Sequence, residues 1–256
     1  MTAVPAPPPY PKAHDLLEGR VVLVTASAGS GIGFATAKRA QEEGATVVVS
    51  DKHERRTAES AEELGVLGIP CDVTDEASVQ ALFDRVIAEH GRIDVLVNNA
   101  GLGGTVDVVD MTDEQWDRII DVTLTSTFRC TRAAFKHMFP RGSGVVVNNA
   151  SVVGWRAQVA QSAYSAAKAG VMAFTRSSAL EAAKFGVRVN AVSPSLVMHA
   201  NLAKVTSDEL LAELVKTEAF GRSAEAWEVA NAIIFLASDY ASYLVGEVIS
   251  VSSQHP

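Results

Sequence analysis

The segment most informative about the fold is Val21-Val22-Leu23-Val24-Thr25-Ala26-Ser27-Ala28-Gly29-Ser30-Gly31-Ile32-Gly33. Its first residues form a short apolar run, which predicts a strand over 21–25 that is buried on both faces. Glycines follow at once, and they lead into a segment with helical periodicity over about 31–43. A strand that turns through glycines into a helix is typical of the first unit of a doubly wound α/β fold.

The same alternation of strand and helix continues along the chain. Further apolar runs lie at 46–50, 66–71, 93–97, 145–149, 187–192 and 248–251. Helices are predicted between them at about 53–64, 75–90, 112–139, 161–185 and 225–238. This pattern predicts an α/β fold with a doubly wound parallel sheet and helices on both faces. All strands would then end at one edge, where a ligand crevice forms.

Length and composition exclude several classes of protein. The 256 residues suffice for one large domain with a full core. A net charge of −8, with no basic run longer than Arg55-Arg56, argues against nucleic-acid binding. No apolar run approaches the ~18 residues of a membrane span, and no signal peptide is recognisable. Cys71 and Cys130 are expected to be reduced core thiols without a metal, which predicts a cytoplasmic protein.

Proline and apolar residues suggest how the domain is organised. Five of the nine prolines fall within residues 1–18, which predicts an extended arm, either a tolerated tail or a subunit contact. Residues 19–256 are predicted to form a single dinucleotide-binding domain. Residues 196–222, with a helix over 207–217, are predicted to form a lid whose apolar face suits a ring substrate.

The glycine-rich turn is interpreted as a cradle for a dinucleotide pyrophosphate, with a merely tight turn as the alternative. Glycines let the backbone approach a phosphate, and the helix N-terminus supplies N–H groups. The predicted contacts are Ser27, Gly29, Ser30, Gly31, Ile32 and Gly33.

Acidic and amide residues close the next strands. Asp51 comes 18 residues after Gly33, where a carboxylate can bind the adenosine ribose and repel a 2′-phosphate. This favours NAD over NADP, although Lys52, Arg55 and Arg56 would favour a 2′-phosphate. Asp72-Val73 could meet the adenine, and Asn98-Asn99 could let the backbone approach a ribose. The alternatives are helix N-caps for the aspartates and a plain turn for the asparagines.

Ser151, Tyr164 and Lys168 are candidates for proton chemistry. Tyr164 and Lys168 project from one helix face, one turn apart. Tyr164 would act as general acid/base, and the Lys168 ammonium would lower the pKa of its phenol. Ser151 would hydrogen-bond the same substrate oxygen. The alternative is a Tyr and a Lys on the surface of an amphipathic helix.

Several motifs together resemble the short-chain dehydrogenase/reductase family. They are Thr25–Gly33, Asp72, Asn98–Gly101, Ser151, Tyr164–Lys168 and Asn190-Ala191-Val192-Ser193-Pro194. The resemblance implies a Rossmann-like seven-stranded sheet, a nicotinamide cofactor and reversible alcohol/carbonyl redox. It also implies that Lys168 binds the nicotinamide ribose and that the Val197 backbone contacts the carboxamide. In the family, helices equivalent to 112–139 and 161–185 pair across a two-fold axis, which implies a homotetramer or a dimer.

The chain departs from the family pattern at four places. The family's Thr-Gly opening reads Thr25-Ala26, and its Pro-Gly reads Pro194-Ser195. Its helix asparagine, which helps hold a proton-relay water, aligns with Thr123, and we therefore predict an altered relay through the Thr123 hydroxyl or a packing role for Thr123. The usual terminal Asp-Gly-Gly is replaced by Ser252-Ser253-Gln254.

With these departures, the chain resembles an actinobacterial subgroup of the family. Members of that subgroup act on a hydroxy-indanyl carboxyl-CoA in steroid ring C/D degradation. This resemblance implies an oxidoreductase that interconverts a secondary alcohol and a ketone on an apolar, ring-bearing acyl-CoA. The alternatives are a 3-oxoacyl-thioester reductase and a non-catalytic, dinucleotide-binding protein.

Four residues near the substrate end remain ambiguous. Trp155 is either a pocket wall or a core residue. Arg156 and Lys204 either meet a carboxyl or CoA phosphate or are solvated surface charges. His199 either lines the pocket or caps the lid.

Overall fold

In the computed structural model, which describes residues 6–198 and 208–254, seven strands form one parallel sheet. They are β1 (Val21–Val24), β2 (Thr46–Asp51), β3 (Leu67–Pro70), β4 (Val95–Asn98), β5 (Gly144–Asn149), β6 (Val187–Pro194) and β7 (Val248–Val251). Their order is β3-β2-β1-β4-β5-β6-β7. Because the order reverses at β1, the sheet is doubly wound, as the sequence predicts.

Helices connect successive strands and cover both faces of the sheet. They are α1 (Ile32–Glu42), α2 (Glu54–Leu64), α3 (Glu76–His90), α4 (Asp113–Ile120), α5 (Ser126–Arg141), α6 (Ser162–Ala183), α7 (Asp208–Thr217) and α8 (Ala226–Ala237). Residues of α1, α2 and α8 pack on one face with the Val side chains of β1, β2, β4 and β5. Residues of α3, α5 and α6 pack on the other. Burial on both faces explains the continuous Val-rich strands.

The predicted long helix over 112–139 is interrupted in the structure. A π-helical segment, Asp121–Thr125, separates α4 from α5, and the Ser126 N–H bonds to the Asp121 carbonyl. Side-chain periodicity does not reveal one widened turn, because the apolar stripe continues through it. The sixth strand is also longer than predicted, since it continues to Pro194.

The N-terminal arm contacts the rest of the chain through Tyr10, Pro11 and Lys12. The Tyr10 ring packs edge-on against Trp227 of α8 at 5.4 Å, and its hydroxyl donates to Glu42 at 2.7 Å. The Arg39 guanidinium bonds to the carbonyls of Pro11 and Lys12, each at 3.0 Å, and to buried Glu43 at 2.6 Å. The described part of the arm therefore covers α1 and α8.

Two further features bear on function. Among the described residues, no helix is both long enough and apolar enough to cross a membrane. Within 6–198 and 208–254, no group of three His, Cys, Asp or Glu residues is arranged to hold a metal ion.

Candidate active site

The carboxyl edge of the sheet brings the three candidates for proton chemistry together. Ser151 follows β5 and begins a short 3₁₀ turn, Val152–Gly154, in which the Val153 N–H donates to the Ser151 hydroxyl at 3.5 Å. Tyr164 and Lys168 lie in the first two turns of α6, and the Lys168 ammonium nitrogen is 5.6 Å from the centroid of the Tyr164 ring. A substrate oxygen placed between Ser151 and Tyr164 would meet the hydroxyl groups of both residues.

Burial controls the acidity of Tyr164. Desolvation raises the pKa of its phenol to about 12, although the hydrogen bond with Ser151 lowers it in part. The expected lowering of this pKa by Lys168 is therefore not seen, because desolvation dominates and the ammonium faces a backbone carbonyl. A tyrosine with this pKa is protonated at neutral pH and is suited to donate a proton to a carbonyl oxygen.

Lys168 is anchored through the end of β5. Its side chain is 2% exposed, and its ammonium donates to the Asn149 carbonyl at 2.6 Å. Burial lowers the pKa of Lys168 to about 8. An added Cβ at Gly101 would lie 3.3 Å from the ammonium nitrogen, so the loop after β4 passes close to this charge.

Paired asparagines connect the glycine-rich turn to Lys168. The Asn99 amide donates to the carbonyls of Thr25 and Ala26, and its oxygen accepts a 2.9 Å bond from Asn149. Because Asn149 also accepts from Lys168, one bonded path joins the ends of β1, β4 and β5 to the lysine. The sequence interpretation missed Asn149; its signal was the Asn148-Asn149 pair, which repeats Asn98-Asn99 on the adjacent strand.

Asn98 itself points into the fold. It is 3% exposed, and its amide donates to Thr131 at 3.0 Å and to Asn148 at 2.9 Å. Asn148 donates in turn to Thr175 of α6 at 2.9 Å. The Asn98 side chain thus fixes the spacing of β4, β5 and two helices, and any cofactor contact at Asn98 would come from the backbone.

The glycine-rich turn has the shape that a phosphate requires. Gly31 begins α1 with φ 116° and offers no side-chain cap, and no acidic residue occupies the first turn. The N–H groups of that turn are therefore available to an anion. A Cβ at Gly33 would lie 2.5 Å from both the Ala26 carbonyl oxygen and the Asn99 amide, so only glycine fits. The turn therefore fits a dinucleotide pyrophosphate.

Two of the predicted turn residues have other partners in the structure. Ser27 is fully buried, and its hydroxyl donates to Val24 at 2.8 Å and accepts from the Ser50 N–H at 3.0 Å. The Gly29 N–H donates to Ser60 of α2 at 2.9 Å. Ser27 thus joins β1 to β2, whereas Ser30 is exposed and Ile32 is half-buried at the mouth of the turn.

Ala26 adopts a backbone conformation that favours glycine. Its φ is 48°, in the left-handed region. The family pattern has glycine here, and the structure shows why: an alanine at this φ carries a steric cost of about 1 kcal/mol. The departure leaves the turn intact, since Ala26 still accepts the bond from Asn99.

A cavity of about 790 Å³ opens beside the ends of β1–β4. Asp51, Asp72 and Val73 line it, together with residues of α4 and the π-helical segment. Asp51 is 12% exposed; its Oδ1 accepts the His53 N–H at 3.0 Å and lies 3.5 Å from Arg56. Asp51 is thus a cavity residue and not the N-cap of α2, which is His53.

The cations near Asp51 are each paired with a carboxylate. Lys52 contacts Asp72 at 2.6 Å, and Arg55 contacts Glu59 at 2.6 Å. Partial burial would raise the pKa of Asp72, but bonds from Lys52 and Thr74 outweigh it and lower that pKa to about 2. The N-cap of α3 is Asp75, so Asp72 has no capping role.

Thr123 lies in the π-helical segment and is fully buried. Its hydroxyl accepts the Leu102 N–H at 3.0 Å and donates to the Leu102 carbonyl at 3.3 Å. The structure thus uses this hydroxyl to hold the loop after β4, next to Gly101 and Lys168. This geometry favours positioning and packing over direct contact with a relay water.

The segment after β6 is held by the C-terminal tail. Val197 is 5% exposed and forms a bridge with Ala224, and the neighbouring Leu196 N–H donates to Glu218 at 3.2 Å. Glu218 also accepts from Ser253 at 2.6 Å.

The structure describes only some of the ambiguous residues near the substrate end. His199 and Lys204 lie outside the described residues, whereas Trp155 is 43% exposed and is not a core residue.

Comparisons with known proteins agree with this geometry. Residues 26–253 match the family model described as enoyl-(acyl carrier protein) reductase. The (5R,7aS)-5-hydroxy-7a-methyl-1-oxo-2,3,5,6,7,7a-hexahydro-1H-indene-carboxyl-CoA reductase of Mycobacterium tuberculosis is 63% identical over 95% of this chain and 95% of the relative. Cis-4-hydroxycyclohexanecarboxylate dehydrogenase of Sinomonas cyclohexanicum is 44% identical over 91% and 94%.

A solved structure gives the same result. The crystal structure of a short chain dehydrogenase from Mycobacterium smegmatis superposes with a TM-score of 0.87 at 55% identity, over 97% of this chain and 98% of that chain. The chain belongs to the short-chain dehydrogenase/reductase family and is an oxidoreductase that uses a nicotinamide dinucleotide.

Proposed function

We propose that this protein interconverts a secondary alcohol and a ketone on an apolar, ring-bearing acyl-CoA of steroid catabolism, with NAD(H). The names of two relatives support the proposal, because both describe an oxygen on a carbon ring that also bears a carboxyl or carboxyl-CoA group. The observation that carries the chemistry is the grouping of Ser151, Tyr164 and Lys168 at one point of the sheet edge.

Tyr164 exchanges the proton in the proposed mechanism. In reduction its phenol donates to the carbonyl oxygen, and in oxidation its phenolate removes the alcohol proton. Ser151 holds the same oxygen by a hydrogen bond, which stabilises the charge that develops there. Lys168, fixed by the Asn149 carbonyl, holds a positive charge close to the phenol. A nicotinamide dinucleotide, when bound, would supply or accept the hydride.

The dinucleotide would lie along the carboxyl edge from β3 to β6. Gly31, Gly33 and the α1 N-terminus would hold the pyrophosphate. Asp51 would accept from the adenosine ribose, with Asp72 and Val73 beside the adenine. Asn98 and Asn99 would present backbone to a ribose, Lys168 would bind the nicotinamide ribose, and the Val197 backbone would contact the carboxamide.

NAD is the proposed partner in preference to NADP. A 2′-phosphate at Asp51 would meet a like charge. Three cations would favour the phosphate, but each already contacts a carboxylate. The pairs are Lys52 with Asp72, Arg55 with Glu59, and Arg56 with Asp51. Breaking such contacts reduces the gain from a phosphate, although each exposed pair is worth only about 0–1 kcal/mol.

The proposed function also includes a domain organisation and a cellular compartment. Residues 19–256 would act as one domain, with 1–18 as an arm and about 196–222 as a lid over the substrate. The leucine-rich helix α7 and half-exposed Trp155 and Met198 support an apolar substrate end. Both cysteines are buried and free, which supports a reducing compartment such as the cytoplasm.

Turnover assays test the proposed function directly. NADH absorbance would be followed with a hydroxy-indanyl carboxyl-CoA, with a cyclohexanol carboxyl-CoA and with a linear 3-oxoacyl-CoA. We expect the ring thioesters to give the higher kcat/KM, and NAD(H) to exceed NADP(H). Efficient turnover of the linear substrate alone would instead support a 3-oxoacyl-thioester reductase. Dinucleotide binding without turnover of any substrate would support a non-catalytic protein.

A further inference from the structure

Arg156 lies at the substrate half of the sheet edge. It comes two residues after the turn that Ser151 begins, and its N–H donates to the Val152 carbonyl at 3.0 Å. Its side chain reaches Gln254 in the tail that follows β7. Since β5, β6 and β7 are neighbours at the opposite end of the sheet from β3, Arg156 is far from the adenine side.

The Arg156 guanidinium has unused donors. Nη1 donates to the Gln254 side-chain oxygen, but Nε and Nη2 are buried and have no hydrogen-bond partner among residues 6–198 and 208–254. Along the described chain, no carboxylate lies within 4.0 Å of Arg156 to form a salt bridge. A buried donor without a partner is destabilising, and more so when it belongs to a charged group. Arg156 thus has one paired nitrogen, Nη1, and two nitrogens, Nε and Nη2, whose N–H groups lack an acceptor in the described part of the chain.

The partner of Arg156 is held rigidly. The Gln254 amide donates to Glu218 at 2.7 Å and to Thr217 at 2.8 Å, so its oxygen must face the arginine. Glu218 is 4% exposed and also accepts from the Leu196 N–H, beside Val197. This network joins the loop after β5, the segment after β6 and the C-terminal tail. It fixes the direction of the guanidinium before any ligand arrives.

We propose that Arg156 Nε and Nη2 bind a carbonyl oxygen of the ring substrate that is distinct from the oxygen at Tyr164. The inference rests on the proposed function and names the residue that selects among its substrates. A carbonyl oxygen has two lone pairs and can therefore accept from both N–H groups. The substrate class offers two such oxygens, a second ring ketone and the thioester carbonyl. Binding one of them fixes which ring carbon faces Tyr164.

A substrate and variant cycle tests this assignment. Three substrates are compared: the hydroxy-oxo-indanyl carboxyl-CoA, its analogue without the ring ketone, and its thioether analogue without the thioester carbonyl. Each is assayed with wild type, Arg156→Met and Arg156→Lys, and with Arg85→Met as control. Arg85 is 58% exposed on α3 and forms a salt bridge with Glu89.

We expect wild type to prefer the full substrate over one analogue by about 10- to 100-fold in kcat/KM, as a hydrogen bond to a charged group allows. The analogue with the lower kcat/KM lacks the carbonyl that Arg156 binds, and so identifies that carbonyl. Arg156→Met should lose a similar factor on the full substrate but less than about threefold on that analogue. Arg156→Lys should recover part of the loss, and the NADH dissociation constant and Tm should stay near those of Arg85→Met.

The experiment distinguishes a wrong assignment of Arg156 from a wrong proposed function. If wild type turns over the ring substrates without discriminating among the three, the assignment of Arg156 is wrong and the proposed function stands. An equal loss in Arg156→Met on all three substrates would also contradict the assignment, because the residue would then act through the fold. If wild type turns over no ring substrate, the proposed function fails, and this inference fails with it. The wild-type comparison needs no variant to fold.

Discussion

Lys168 carries a charge in a site that penalises charge. It is 2% exposed, and within the described part of the chain no carboxylate lies within 4.0 Å to form a salt bridge with it. Its pKa in the folded protein is about 8, below the 10.5 of an exposed lysine. Between these pH values the unfolded chain binds more protons than the folded one. Stability contributed at this site therefore rises as pH increases from about 8 to 10.5.

The variant Lys168→Met isolates this effect. At pH 7 the wild type carries the full cost of the buried charge, whereas the variant does not. We expect the free energy of unfolding of the variant, relative to wild type, to fall by about 2–3 kcal/mol between pH 7 and pH 10.5. Urea unfolding at both pH values measures it. A difference that does not change with pH would show that Lys168 titrates normally.

The sequence predicts which of these side chains meet, but not how their acidity changes. The four-residue spacing of Tyr164 and Lys168 puts them on one helical face, and the end of a strand brings Ser151 beside them. The direction of the Tyr164 pKa shift depends on how much water burial removes and on the hydrogen bond with Ser151, which lies 13 residues earlier in the chain. The Lys168 ammonium in turn bonds to the Asn149 carbonyl, 19 residues earlier. Neither quantity is local in sequence.

Asp51 should decide between NAD and NADP. Asp51→Ser removes the carboxylate that repels a 2′-phosphate and frees Arg56, which lies 3.5 Å from it. We expect the KM for NADP to fall by about tenfold or more, with a smaller change for NAD. In the double variant Asp51→Ser/Arg56→Ala, this gain should shrink. Equal use of NAD and NADP by wild type would mean that the basic residues dominate.

At the scale of elements, the π-helical segment Asp121–Thr125 is where the chain departs most from a regular pattern. It widens one turn between α4 and α5 and brings Thr123 against Leu102. The alternation of strands and helices was predictable, because buried parallel strands and amphipathic helices have different periods. The widened turn was not, because it changes backbone bonds while leaving the apolar stripe in place.

Thr123→Val tests the role of this segment. Valine keeps the shape of the side chain but leaves the Leu102 N–H and carbonyl without their partner. We expect a loss of about 1–3 kcal/mol in the free energy of unfolding and turnover slower by about tenfold. Thr123→Asn, which restores the family's residue, should retain turnover. Wild-type stability and turnover in Thr123→Val would show that the hydroxyl is dispensable.

For the whole molecule, α5 and α6 leave an apolar groove on the surface. It has a volume of about 520 Å³, and aromatic residues line it, including Phe128, Phe135 and Phe174. Leu180 of α6 is 76% exposed nearby. A patch of this kind typically marks a protein interface. Together with the family resemblance, it supports the proposal that the protein is a homotetramer or a dimer.

Light scattering at micromolar concentration tests the assembly. We expect wild type to have the mass of a dimer or a tetramer, and Leu180→Asp to shift it toward smaller species, because a charge would be buried in the interface. The exposed Tyr243→Asp serves as a control and should leave the mass unchanged. A monomeric wild type would contradict the proposal.

Tyr164→Phe tests whether Tyr164 exchanges the proton during alcohol/ketone interconversion. The variant removes one hydroxyl while the ring still packs beside Lys168. The measurement compares kcat on a ring substrate with the dissociation constant for NADH, using the same preparation. We expect kcat to fall by about 10²–10⁴-fold while the dissociation constant changes by less than about threefold. Near-normal turnover in Tyr164→Phe would contradict it, because another group would then have to carry the proton.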